Sequence, residues 1–246
     1  MINVDDGSGI RTITIDRPEA RNALSSADFA AVDLALRHAV LEDGLRAVVV
    51  TGAGDDAFCA GQDLKELTDI DPSALASHPF HAFVETLAGY PKALVAAVRG
   101  VAVGAGVTML PYFDFVVAAS DARFQTPFVK LGVPTEGGSS QMLAFTVGPR
   151  LAARMLLTGE WISAAEALSS GLVTTVVDGD QVLPAALDLA GRLAALPASA
   201  VTATKRLLVE ARREGVSAAL TRERAAGLDL YAEPAFRRAL DRFDSR

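Results

Sequence analysis

Val98-Arg-Gly-Val-Ala-Val-Gly-Ala-Gly106 is an apolar run interrupted by glycines and followed by a helix-compatible stretch at 107–112. A helix opening at Gly104 or Ala105 would aim free N–H groups, and the positive end of its dipole, at whatever lies beside the strand end. Gly100, Gly104 and Gly106 do not have G-x-G-x-x-G spacing and lie too late for a first βαβ unit, so a dinucleotide is not expected. Working outward, β-branched runs at 11–15, 47–51, 94–98, 115–118 and 173–177 read as strands. Several are almost continuously apolar, which fits strands covered on both faces. The fold class is therefore α/β, a mostly parallel sheet with helices packed on it. Segment 26–41 has helical spacing, with Phe29, Val32, Leu36 and Val40 on one stripe and Asp28, Asp33 and Arg37 off it.

The chain has 246 residues, half of them apolar and 22% charged, which suits one large folded domain and excludes a disordered chain. With 30 acidic against 23 basic residues and no Lys/Arg-dense stretch, nucleic acid is not an expected partner. Cys59 is the single cysteine and has no partner for an internal disulfide, which fits a reducing compartment; the cytoplasm is the expected location. The N-terminus lacks a leader pattern, and Arg99 interrupts the best apolar run at 93–110, so no membrane association is expected. The final Asp-Ser-Arg is not a peroxisomal address. Segment 67–89, with Pro72, Pro79, His78 and His81, reads as mobile helical turns, a candidate lid. Residues 1–180 form the expected core. Residues 181–246 read as a helical region of three or four helices punctuated at Pro184, Pro197, Gly215, Gly227 and Pro234.

Two further segments carry candidate chemistry. In Ala57-Phe-Cys-Ala-Gly-Gln-Asp-Leu-Lys65, small residues at Ala60 and Gly61 let a ligand approach backbone N–H groups; an ordinary turn has the same composition. In Phe124-Gln-Thr-Pro-Phe-Val-Lys-Leu-Gly-Val-Pro-Thr-Glu-Gly-Gly-Ser-Ser140, Thr135 is placed to cap a helix beginning at Glu136. A helix dipole would favour the ionised carboxylate there, and an apolar pocket would oppose it. Two N–H turns and one carboxylate are together the set needed to remove a proton α to a carbonyl.

Arg17-Pro-Glu-Ala-Arg-Asn-Ala-Leu24, Phe58-Cys-Ala-Gly-Gln-Asp-Leu64, Arg99-Gly-Val-Ala-Val-Gly-Ala-Gly106, Leu157-Thr-Gly-Glu-Trp-Ile-Ser-Ala-Ala-Glu-Ala167 and Gly171-Leu-Val173 occur in the order that resembles the crotonase, or enoyl-CoA hydratase/isomerase, superfamily. The resemblance implies a crotonase-like spiral of repeated ββα units, a C-terminal helical trimerisation region, and assembly as a homotrimer or a dimer of trimers. It implies an acyl-CoA substrate whose CoA arrives as part of the thioester, with no separate cofactor. By motif position, the Gln62 and Ala105 amides would form the oxyanion hole, and Ala60, Gly61, Gln62, Asp63 and Leu64 would line the adenine and pantetheine path. Arg21 would meet the nucleotide end. Ala105 replaces a common Gly without removing its N–H.

Family hydratases carry two glutamates where this chain has Thr108 and Phe128, and neither replacement exchanges protons near neutral pH. Residues 126–140 instead resemble the Δ3,Δ2-enoyl-CoA isomerase branch, whose single catalytic Glu falls at Glu136. The expected activity is isomerisation of 3-enoyl-CoA to 2-enoyl-CoA. Alternatives are hydration or hydrolysis on the same fold, or acyl-CoA binding without catalysis. Cys59 reads as packing, His38 as solvated, and Met109, Tyr112 and Phe113 as core; no metal site is expected. Lys205 and Arg206 read as a solvated helix face, with a CoA phosphate contact as the alternative.

Overall fold

The computed structural model describes residues 1–69, 77–231 and 233–244, with side chains described except at 68, 69 and 241–244. The expectations for 70–76, including Pro72, and for the last two residues lie outside the described residues. The apolar runs form one six-stranded sheet in the order β1-β2-β3-β5-β7-β10. Its members are β1 (Ile2–Gly7), β2 (Ile10–Ile15), β3 (Ala47–Gly52), β5 (Ala93–Val98), β7 (Phe115–Ala119) and β10 (Thr175–Val177). All pairs are parallel except the β1–β2 hairpin. Every residue of β5 is buried, as a central strand with both faces covered requires.

A second sheet, β4-β6-β8-β9, is built from β4 (Ala57–Cys59), β6 (Val101–Val103), β8 (Arg123–Gln125) and β9 (Ile162–Ser163). Each is only two or three residues long, too short to show periodicity. The two sheets share their origin: β3, β5 and β7 each continue into β4, β6 and β8, so successive ββ units place one strand in each sheet. The turn from β5 to β6 falls at Gly100, inside the glycine run quoted first, which therefore contains a strand as well as a helix start.

Helix α1 (Ser26–Leu41) buries Phe29, Val32 and Leu36 as expected and begins with a capping box between Ser25 and Asp28. Asp28 is therefore buried rather than on the solvated side, and it also accepts from Arg17 at 3.3 Å. Helix α2 (Leu64–Asp69) follows β4, and α3 (Pro79–Ala88) packs on α1. Helix α4 (Ala105–Thr108) opens directly after the glycines, and α5 (Ser139–Val147), α6 (Pro149–Thr158) and α7 (Ala164–Ser170) follow. Among the described residues, the 181–246 region holds three α-helices: α8 (Val182–Ala194), α9 (Ala198–Tyr231) and α10 (Pro234–Asp244). Helix α8 packs on β3 and β5 of the main sheet.

Gly215 and Gly227 were expected to punctuate this region but lie inside one continuous α9. At Gly227 the missing side chain makes room for Tyr231, whose ring would stand 3.1 Å from a Cβ. Lys205 is also corrected: it is not solvated but 4% exposed, paired with Asp114 at 2.6 Å. Burial lowers its pKa and the Asp114 carboxylate opposes that fall. Asp114 also accepts from the Leu94 N–H, so the ion pair ties α9 to the main sheet. Lys205→Met would leave Asp114 without its cation, and urea denaturation is expected to read a loss of about 3 kcal/mol. Arg206 is exposed, as expected.

Candidate active site

The two small-residue turns meet across a cavity of about 460 Å³. Gly61 adopts φ +90°, and a Cβ there would lie 2.8 Å from the Val103 carbonyl oxygen and 3.3 Å from the Ala105 nitrogen. Only glycine allows the β4 turn this close to the start of α4. The bridge between Leu24 and Gln62 uses the Gly61 carbonyl and the Asp63 N–H, leaving the Gln62 N–H outside it. Ala105 is the first residue of α4, where an N–H has no partner within the helix. Among the described residues, neither N–H donates to a backbone carbonyl, and both residues line the cavity. The arrangement offers two donors to one oxygen.

Glu136 lines the same cavity but is not in a helix. Gly137 and Gly138 have φ +72° and +73°, left-handed values that halt a helix, so α5 starts at Ser139 and not at Glu136. Thr135 bonds the Ser139 hydroxyl, which itself donates to the Glu136 carbonyl at 2.7 Å. With the expected first helical turn absent, burial decides the charge. Glu136 keeps some surface because it borders two cavities, yet protein encloses its carboxyl. Desolvation, with repulsion from Glu223, pushes its pKa from 4.5 to about 7, against a lowering hydrogen bond from the Tyr231 hydroxyl. A carboxyl poised there exchanges protons in both directions near neutral pH.

Ala60, Gly61, Gln62, Leu64 and Arg21 lie on the cavity wall, in keeping with the expected ligand path. Asp63 does not line it: its carboxylate turns to Arg17 at 2.9 Å and accepts from the Lys65 N–H at the start of α2. Phe128 lines the cavity beside Gly104. Thr108 is buried one layer back, its Oγ1 3.0 Å from where a Cβ on Gly137 would stand. Cys59 is fully buried and its thiol is pushed up to about 12 by desolvation, a packing residue. Met109, Tyr112 and Phe113 are core, and His38 is exposed.

Sequence reading missed two contributors, Tyr231 and Phe236, and placed a third, His78, only in the candidate lid. His78 is 5% exposed, and its Nε2 lies 2.8 Å from Ser26 Oγ and 3.1 Å from the Gln62 carboxamide. Phe80 N–H donates to Nδ1 at 3.2 Å, so the remaining ring proton sits on Nε2, and burial lowers the pKa toward the neutral ring. The candidate lid thus touches the Gln62 turn. Tyr231 and Phe236 come from α9 and α10 and close the cavity over Leu67, Phe128, Leu131 and Val133. No local pattern links residues so distant in sequence; the strong apolar face of α10 was the one available signal.

Comparison with known proteins agrees with this architecture. Residues 5–244 match the family model described as enoyl-CoA hydratase/isomerase. The 2,3-dehydroadipyl-CoA hydratase of Escherichia coli K12 is 36% identical over 212 residues, 86% of this chain and 83% of that protein. Human enoyl-CoA delta isomerase 2 is 34% identical over 221 residues, 87% of this chain and 56% of that protein. The structure of Pseudomonas aeruginosa OdaA superposes with a TM-score of 0.94 at 34% identity, covering 100% of this chain and 99% of that one.

Proposed function

Since this chain belongs to the enoyl-CoA hydratase/isomerase family and has its crotonase fold, we propose that within the family's thioester chemistry it moves a double bond, converting 3-enoyl-CoA to 2-enoyl-CoA. Glu136 takes a proton from C2 of the bound thioester. The electron pair moves onto the carbonyl oxygen, held by the Gln62 and Ala105 N–H groups, to give a dienolate. Collapse of the dienolate takes a proton at C4 from the same Glu136 carboxyl, which exchanges with solvent between the two steps, leaving the 2-enoyl product. The observation that carries the reading is the near-neutral Glu136 carboxyl, the single carboxyl on the cavity wall among the described residues, with Phe128 and Thr108 at the positions where the family resemblance puts the hydratase acids. Water addition needs a second proton-exchanging group there, and neither side chain supplies one.

The ligand is an acyl-CoA thioester, with Arg21 at the nucleotide end and no separate cofactor. The chain acts as a homotrimer or dimer of trimers in the cytoplasm. The test is a mass-resolved assay of 3-hexenoyl-CoA in heavy water. Formation of 2-hexenoyl-CoA with deuterium uptake is the expected outcome; 3-hydroxyacyl-CoA or free CoA as the main product would overturn it. The kcat/KM of the reaction should rise with pH through about 7 as Glu136 loses its proton, then level off.

A further inference from the structure

Glu223 is a carboxylate that the proposed reaction does not use, yet it is 8% exposed and stands on α9 behind the Glu136 loop. Its Oε2 accepts from the Gly138 N–H at 2.6 Å and its Oε1 from the Ser140 N–H at 2.8 Å. These amides flank the start of α5, immediately after Glu136. The same loop is held by the Tyr112 hydroxyl, which donates to the Gly137 carbonyl at 2.8 Å. Gly138 lies against that hydroxyl so closely that a Cβ would sit 2.3 Å from it, so the loop has little room to move. Two charge-assisted bonds from one carboxylate are the strongest ties in this set.

We propose that Glu223 is a positioning residue: it clamps the Gly138 and Ser140 amides, fixing where Glu136 stands over the thioester, and it sets a second carboxylate behind the first. The inference rests on the reading of Glu136 as the proton carrier. The groups facing Glu136 are Glu223, Tyr231 and Arg224 from α9, His78 and His81 at the start of α3, and Tyr112 beneath the loop. Of these, Tyr231 donates to Glu136, His78 is held neutral by burial, and Arg224 reaches toward Glu85 at 3.5 Å. Glu223 is the one carboxylate among them, and its repulsion helps keep Glu136 protonated up to about pH 7.

The experiment titrates the protonated-carboxyl infrared band of Glu136, assigned by its loss in Glu136→Gln, in wild type and in Glu223→Gln. The variant keeps one acceptor for the amides and removes the charge. The expected midpoint falls by on the order of one pH unit, and the acid limb of the pH–rate profile moves with it. An unmoved midpoint, with only thermal stability lost, would overturn the proposal. Should the variant not fold, Glu223→Asp decides: it keeps the charge and shortens the reach to the Gly138 and Ser140 amides, so the rate should fall while the midpoint stays close to wild type, and an unchanged rate overturns the idea. The infrared readout needs no turnover, so a shifted midpoint in an enzyme that fails to isomerise would discard the isomerase reading while leaving the clamp in place.

Discussion

Glu136→Gln is expected to slow isomerisation by on the order of 10³-fold while leaving CoA-ester binding within a small factor of wild type. The amide has the size of the acid but takes up no proton at C2 and returns none at C4. Steady-state assays with 3-hexenoyl-CoA, paired with calorimetric titration of a saturated acyl-CoA, measure the two effects separately. Equal rates in both proteins would remove Glu136 from the mechanism. The same variant carries a stability signature. The folded state raises the Glu136 pKa from 4.5 to about 7, so the folded chain holds a proton that the unfolded chain releases. That contribution favours folding fully below pH 4.5 and is lost as pH rises through about 7. Above that, the ionised carboxylate costs about 3 kcal/mol, and Glu136→Gln should melt higher than wild type at pH 8 but not at pH 4.

Ala105→Pro should cost 10²- to 10³-fold in kcat, roughly what losing one oxyanion donor costs elsewhere. Ala105 is the first residue of α4, where proline's fixed φ is tolerated and the missing N–H breaks no helical hydrogen bond. The substitution therefore deletes the donor with little disturbance of the helix. A fall in kcat with some rise in KM is the expected pattern, because the bond strengthens as charge builds on the oxygen and the proline ring carbon also stands where the N–H pointed, crowding the bound carbonyl. A rise in KM alone would mean that the amide binds substrate without aiding the reaction.

Much of this site was legible because its parts sit in short, locally determined motifs. The turns at Gly61 and Gly104 announce themselves through residues that need unusual backbone angles, and β3, β5 and β7 through unbroken apolar runs. The charge state of Glu136 was not legible. It depends on whether its loop enters a helix, which Gly137 and Gly138 prevent, and on Glu223 and Tyr231 arriving from α9. Lys205 escaped for the same reason: an Ala/Leu-rich helix gives no sign that Asp114, on the turn before β7, will stand against it and let its ammonium be buried. The short strands of the second sheet escaped because pairing, not sequence periodicity, defines them.

The walls of one cavity run from Arg21 to Phe236, so the pocket is assembled from almost the whole length of the chain. A ribosome extending this chain makes the oxyanion turns and the Glu136 loop first, and the residues that cover them last. Until α9 and α10 have emerged and docked, the nascent protein has a groove open to water in place of an enclosed chamber. Premature termination between Val173 and Tyr231 would yield a product that retains the recognisable motifs and lacks the shelter that gives its carboxyl a near-neutral pKa.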